Sequence, residues 1–148
     1  MAALNTVFVL NGPNLNLLGT REPDIYGRET LGDIERRVRE RAKAHALNVV
    51  FRQSNAEAEI IGWIHEARVQ AKAVIINGGA LTHTSIAILD ALKAFDGPII
   101  EVHLSNIYRR EAFRHQSFIS QAASGVICGL GPFGYEVAVD AVARLIRS

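Results

Sequence analysis

The sequence predicts an α/β protein in which helices cover both faces of a parallel five-stranded sheet. Two observations carry that reading. Short apolar runs alternate along the chain with stretches of helical period. The runs are apolar throughout, as strands buried on both faces are. The 148 residues, 49% hydrophobic and 21% charged, fit one globular domain over 1–148, a size that buries roughly 70% of its unfolded surface.

Residues 7–10 form the first strand and end in Asn11, Gly12 and Pro13. A polar connection over residues 12–29 follows. Thr30 and Asp33 then stand at capping-box spacing, with Leu31, Ile34, Val38 and Ala42 on one face of a helix. Residues 49–51 are the second strand. Ser54 and Glu57 repeat the capping-box spacing before a helix carried by Ile60, Ile61, Ile64 and Ala67. Residues 73–76 are the third strand, stopped by Asn77, Gly78 and Gly79, and a helix covers residues 85–94. Residues 99–102 and 126–128 are the last strands. The final helix opens at Pro132, a favoured first-turn residue, and runs to Arg147. Five strands so joined give a flavodoxin-like, doubly wound sheet of order 2-1-3-4-5, in which ligands bind beyond the carboxyl ends of strands one and three. Asn11, Asn14 and Asn77 stand there, with Glu101 and His103 ending the fourth strand.

Sixteen Lys+Arg against fifteen Asp+Glu give a net charge of +1, which argues against a nucleic-acid partner. Cys128 is the one cysteine, so no disulfide forms within the chain and a reducing, cytoplasmic setting is expected. Inside a strand, it is expected to be buried and inert. No apolar run approaches the ~18 residues of a membrane span, and the start lacks the basic region of a signal peptide.

Four segments could carry chemistry. Connections like that over residues 12–29 usually take roughly two to six residues, so this one reads as a lid or binding loop, anchored by its Leu and Ile residues. A tyrosine titrates at about 10 and is a poor base at neutral pH. Arg21 held against Tyr26 would favour the phenolate and make it a usable base; the other reading is that Tyr26 packs the loop and Arg21 faces solvent. Glu101 and His103 project from one face of a strand. There a carboxylate fixes the imidazole tautomer and favours its protonated form, as a general acid requires, or makes a purely structural pair. Residues 77–85 let a ligand approach backbone at Gly78 and Gly79 and place His83 at a helix entry suited to anions, or form a capped turn. Residues 104–114 bring Arg110 and Arg114, one helical turn apart, beside backbone amides, while Arg109 reads as surface.

Other signals are set aside. Residues 129–134 spell G-x-G-x-x-G, but the chain ends before the acidic residue that a dinucleotide site needs, so a tight strand–helix turn is expected. The basic run over residues 35–43 reads as a solvated helix face. His45 and His65 read as helix-surface residues, and His115 as the same although near a candidate site loop.

Together these residues are recognisable. The chain resembles the type II 3-dehydroquinate dehydratases over essentially its whole length, through NGPNLNLLGTREPDIYG at 11–27, QSN at 53–55, EIIGWIHEA at 59–67, NGGALTHTS at 77–85, EVHLSN at 101–106 and REAFR at 110–114. Gly78 departs from the family's commoner Pro or Ala, and Leu81 from its frequent Tyr. The resemblance implies the flavodoxin-like fold and reversible dehydration of 3-dehydroquinate to 3-dehydroshikimate through an enolate, in aromatic amino acid biosynthesis or alternatively in quinate catabolism, with no metal and no organic cofactor. By it, Tyr26 takes the C2 proton, Arg21 stabilises the phenolate, Asn14 stabilises the enolate, and His103, oriented by Glu101, protonates the leaving hydroxyl. Asn77, His83, Arg114, Arg110 and the amides of Leu104 and Ser105 hold the substrate. A dodecamer, a tetramer of trimers, is implied, with Asp90 completing a neighbour's site. Lys43, Lys72 and Lys93, on or beside helices, stand away from the site loops, which argues against an imine mechanism. A non-enzymatic flavodoxin-like module is the competing class. A phospho-receiver would need acidic residues where Asn11, Asn14 and Asn77 stand, and a flavin protein would be yellow.

Overall fold

The computed structural model describes residues 5–20 and 22–147, and for Tyr26 the backbone only. Arg21 and the Tyr26 side chain therefore lie outside the described residues. Five parallel strands, β1 (Thr6–Asn11), β2 (Asn48–Gln53), β3 (Ala73–Asn77), β4 (Ile99–His103) and β5 (Gly125–Cys128), form one sheet of order β2-β1-β3-β4-β5. The helices are α1 (Pro23–Tyr26), α2 (Leu31–Ala44), α3 (Glu57–Gln70), α4 (Ile86–Lys93) and α5 (Phe133–Arg147). Among the described residues no helix is long and apolar enough to cross a membrane.

Alternation along the strands splits the core in two. Val7, Val9, Ile75 and Val102 pack against Ile34 and Val38 of α2 and Val139 and Val142 of α5. Phe8, Leu10, Val74 and Ile76 face the other way, onto Ile60 and Ile64 of α3 and Ile88 and Leu92 of α4. All of β1, β3 and β4 is buried, as expected. The expectation that every strand is doubly buried fails at β2 and β5, which are half-buried or exposed along their length. Both are edge strands, with one neighbour each. Cys128, in β5, is therefore half-buried and not fully enclosed.

Local signals held where nothing distant competes. Thr30 Oγ1 accepts from Asp33 N at 3.1 Å and Asp33 Oδ2 from Thr30 N at 3.0 Å, closing the expected capping box. The second box does not form. Ser54 Oγ accepts from Ala56 N at 2.9 Å, and the Glu57 carboxylate accepts from Ser85 Oγ instead. The Ser85 hydroxyl also caps α4 through Ile88 N. The last helix starts at Phe133, one residue after Pro132. The segment 129–134 is the expected turn, with Gly129 and Gly131 at φ +90° and +61°.

The α2–α5 contact is more polar than a solvated helix face implies. Arg41 pairs with Asp140 at 3.0 Å and Arg37 reaches Glu136 at 3.7 Å. His45 is not a free surface residue: its Nε2 lies 2.8 Å from Asp140 Oδ1. His65 and His115 are exposed, as read.

Candidate active site

The carboxyl ends of β1, β3 and β4 open into one pocket. Its walls come from Pro13, Asn14, Leu15 and Leu18 after β1, from Asn77 at the end of β3 and Gly79, Ala80 and His83 after it, and from His103, Leu104, Ser105, Ile107, Arg110 and Arg114 at and after β4. The first two loops meet tightly. Gly12 N donates to Asn77 O at 2.8 Å, and a Cβ on Gly12 would lie 2.3 Å from Gly78 O, so only glycine fits.

The connection from β1 is less irregular than its length implies. It holds a 3-10 turn at Leu15–Leu17 and the short helix α1. Leu15 and Leu18 anchor it as expected, whereas Leu17 and Ile25 are 44% and 42% exposed. Asn14 takes a left-handed backbone, φ 70°, and its N–H donates to Asn55 Oδ1 at 3.0 Å. Gln53 Nε2 holds the same Asn55 oxygen at 3.2 Å and Gly12 O at 3.2 Å. Residues 53–55, at the end of β2, thus fix the base of this loop.

Glu101 and His103 form the pair that their spacing on a strand predicts. Glu101 is fully buried and His103 is 5% exposed, with Nε2 of the ring 2.5 Å from Glu101 Oε2. The same oxygen accepts from Ser117 Oγ at 2.8 Å, and Oε1 accepts from Ser120 Oγ. Burial works to raise the Glu101 carboxyl, but hydrogen bonds and charge from His103, with the two serine hydroxyls, outweigh it and hold the group below the usual carboxylate range. A carboxylate only accepts, so His103 carries its proton on Nε2. Nδ1, the other ring nitrogen, has no hydrogen-bond partner among the described residues.

His83 stacks near His103, ring centroids 6.3 Å apart. It belongs to a 3-10 turn, Gly79–His83, and not to the entry of α4 itself. Burial pushes its imidazole below the ordinary range, against a 2.7 Å contact from Nδ1 to Gln116 O. A carbonyl only accepts, so Nδ1 carries the hydrogen and the neutral ring offers Nε2 as an acceptor.

Arg110 and Arg114 both reach the pocket, from separate turns and not from one helix as their spacing implied. Arg110 follows Ile107–Arg109 and donates to Ser105 Oγ at 3.3 Å; Arg114 ends Ala112–Arg114 and bonds Glu111 at 3.1 Å. Glu111 is 53% exposed, so the wall keeps a cationic bias. Arg109 faces outward, as read.

Asn77 is held by a network that the sequence did not reveal. Its Nδ2 donates to Tyr135 Oη at 3.0 Å, Tyr135 Oη donates to Asn11 Oδ1 at 2.7 Å, and Asn77 Oδ1 accepts from Gly79 N at 3.1 Å. Tyr135 is fully buried, which pushes its phenol well above the ordinary value. Tyr135→Phe strands Asn11 Oδ1 and one Asn77 amide hydrogen in the core. We expect it to lower stability by about 1–3 kcal/mol, measured by urea denaturation; an unchanged midpoint and slope contradicts this network.

Asp90 is exposed on α4 and lines no part of the pocket, and Lys43, Lys72 and Lys93 also stand outside it. Among the described residues no group of three His, Cys, Asp or Glu side chains could hold a metal ion.

Residues 5–143 match the protein family described as Dehydroquinase class II. The chain belongs to the class II dehydroquinases. It is 56% identical over 141 residues to the 3-dehydroquinate dehydratase 2 of Pseudomonas putida, covering 95% of each chain. It is 60% identical over 131 residues to the 3-dehydroquinate dehydratase 2 of Agrobacterium fabrum, covering 88% of this chain and 89% of the relative. The solved type II dehydroquinase of Propionibacterium acnes superposes with a TM-score of 0.92 at 45% identity, over 97% of this chain and 99% of the other. The β2-β1-β3-β4-β5 sheet is thus the flavodoxin-like fold of this dehydroquinase family.

Proposed function

We propose that this dehydroquinase, a hydro-lyase, dehydrates 3-dehydroquinate to 3-dehydroshikimate by acid–base chemistry carried on the connection after β1 and on the end of β4. The observation that carries the reading is the buried Glu101 carboxylate behind His103 on the pocket wall. The C3 ketone makes a C2 proton acidic by stabilising the carbanion as an enolate. The reaction then needs a base, a stabiliser for the enolate oxygen and an acid at the C1 hydroxyl.

His103 supplies the acid. With Nε2 committed to Glu101, Nδ1 is the nitrogen left to give the leaving hydroxyl its proton. Tyr26, at the end of α1, supplies the base, with Arg21 favouring its phenolate. Asn14, at the turn between β1 and the loop, stabilises the enolate oxygen. Arg110, Arg114 and the amides of Leu104 and Ser105 suit the substrate carboxylate. Neutral His83 accepts from a substrate hydroxyl. Asn77 keeps one amide hydrogen beyond the one given to Tyr135, and that hydrogen is its donor to substrate.

Asp90 is exposed and does not line its own pocket. In our reading it completes a neighbour's pocket in a dodecamer built as a tetramer of trimers, from a chain that forms one domain and works in the cytoplasm. The test is turnover of 3-dehydroquinate by the purified protein, followed by absorbance of the conjugated enone, with light scattering on the same sample. Turnover by an oligomer supports the reading. A folded protein without turnover overturns the reaction, and a fully active monomer overturns the shared site.

A further inference from the structure

The segment after the site arginines places two serines directly on the carboxylate behind the acid. Ser117 Oγ lies 2.8 Å from Glu101 Oε2 and Ser120 Oγ bonds Oε1. The two hydroxyls are themselves aligned, because Ser120 N donates to Ser117 Oγ at 3.0 Å and so occupies an acceptor site on that oxygen. Ser117 has one hydroxyl hydrogen, and it points at Glu101. The turn carrying them is pinned by Ile119, which is fully buried among the residues beneath β3 and α4. Phe118 N also donates to Thr82 O at 2.9 Å, tying the segment to the turn that bears His83.

We propose that Ser117 and Ser120 are positioning residues of the dehydration, holding Glu101 as the ionised, fixed acceptor that orients His103. The proposal rests on the reading of His103 as the acid. Its physical basis is that Glu101 is fully buried. A buried carboxylate stays charged only when enough donors replace its water. His103 offers one N–H, to Oε2, and among the described residues Ser120 is the donor to Oε1. The neighbouring strands add none from their side chains, since Ile76 and Val126 lie alongside Glu101. Among the described residues, the charged or titratable groups on this face of the pocket are His103 in contact, His83 stacked beside it, and Arg110 and Arg114 on the wall. Of these only His103 bonds the carboxylate, so the serines decide whether Glu101 is a carboxylate when His103 must be protonated.

The sign of the effect follows. Both hydroxyls lower the Glu101 carboxyl while burial raises it. Removing them leaves burial less opposed, so the group takes up its proton at higher pH and the ionised pair is lost earlier on acidification. In Ser120→Ala and Ser117→Ala we expect the acidic limb of kcat against pH to move upward. At neutral pH kcat should fall by roughly ten- to a hundredfold, the range seen for outer-shell partners of metal-bound histidines, with KM little changed. Ser120→Thr, which keeps a hydroxyl, should recover most of the loss.

The decisive readout needs no turnover: 13C titration of the Glu101 side-chain carboxyl, assigned by its loss in Glu101→Gln, in the unmodified protein and in each single serine variant. A raised midpoint in the alanine variants that returns in Ser120→Thr supports the proposal. An unmoved midpoint overturns it, even if the variants are less stable, because a merely structural hydroxyl would leave the carboxyl where it was. If the unmodified protein does not turn over 3-dehydroquinate, the reading of the reaction fails separately, and the titration still decides what the serines do to Glu101.

Discussion

Tyr26→Phe should lower kcat on 3-dehydroquinate by about 10²–10⁴, with KM nearly unchanged and the thermal melt intact. The phenol oxygen is the one group the substitution removes, and loss of a positioned general base has effects of that size. The base acts in forming the enolate, so exchange of the C2 proton with solvent must disappear with turnover. Tyr26 closes α1 ahead of Gly27, whose φ of 84° is one that favours glycine. The measurement is kcat together with deuterium exchange at C2. Near-full turnover in Tyr26→Phe removes the assignment.

His103→Asn should lower kcat by a similar ~10²–10⁴ but leave a different trace. The base and the enolate stabiliser remain, so C2 exchange should continue while elimination stalls for want of a proton at the C1 hydroxyl. A ratio of exchange to dehydration far above that of the unmodified enzyme is the expected result. If exchange and dehydration fall together, His103 is not the acid. The two variants thus separate the halves of one reaction: Tyr26→Phe stops it before the enolate and His103→Asn after it.

Much of this molecule is legible in its sequence for physical reasons. Runs such as Val74, Ile75 and Ile76 have no polar side to show solvent, so they declare central strands. The pairing of Glu101 with His103 follows from the two-residue period of a strand and from nothing else. What failed was decided at a distance. Thr30–Asp33 and Ser54–Glu57 share one spacing, yet only the first closes, because α3 opens at Glu57 with Ala56 as its cap, and the Glu57 carboxylate turns to Ser85 of the neighbouring helix. His45 owes its partner to Asp140, 95 residues away, which no local spacing marks. The exposure of β2 and β5 was implicit in the strand order already inferred, which makes both of them edges.

The site divides in the same way. Asn14, Asn77, His83 and His103 announce themselves by standing at or beyond the carboxyl ends of strands, where this fold gathers ligands. Their supports do not. Tyr135 reaches Asn11 across 124 residues, and Ser117 and Ser120 reach Glu101 across 16 and 19. Neither spacing has a period or motif to mark it. The separation of Arg110 from Arg114 misled because it matches one helical turn, whereas two short 3-10 turns deliver the guanidinium groups.

In the mechanism proposed above, side chains at the strand ends and on the connection after β1 dehydrate the substrate without a covalent link to the enzyme. The most direct measurement is residual activity, with intact protein mass, after borohydride treatment in the presence of 3-dehydroquinate and a chelator. Lys43, Lys72 and Lys93 all lie outside the pocket, so full activity and an unchanged mass are expected. Inactivation with a mass gain on a lysine, matching reduced substrate, would contradict it.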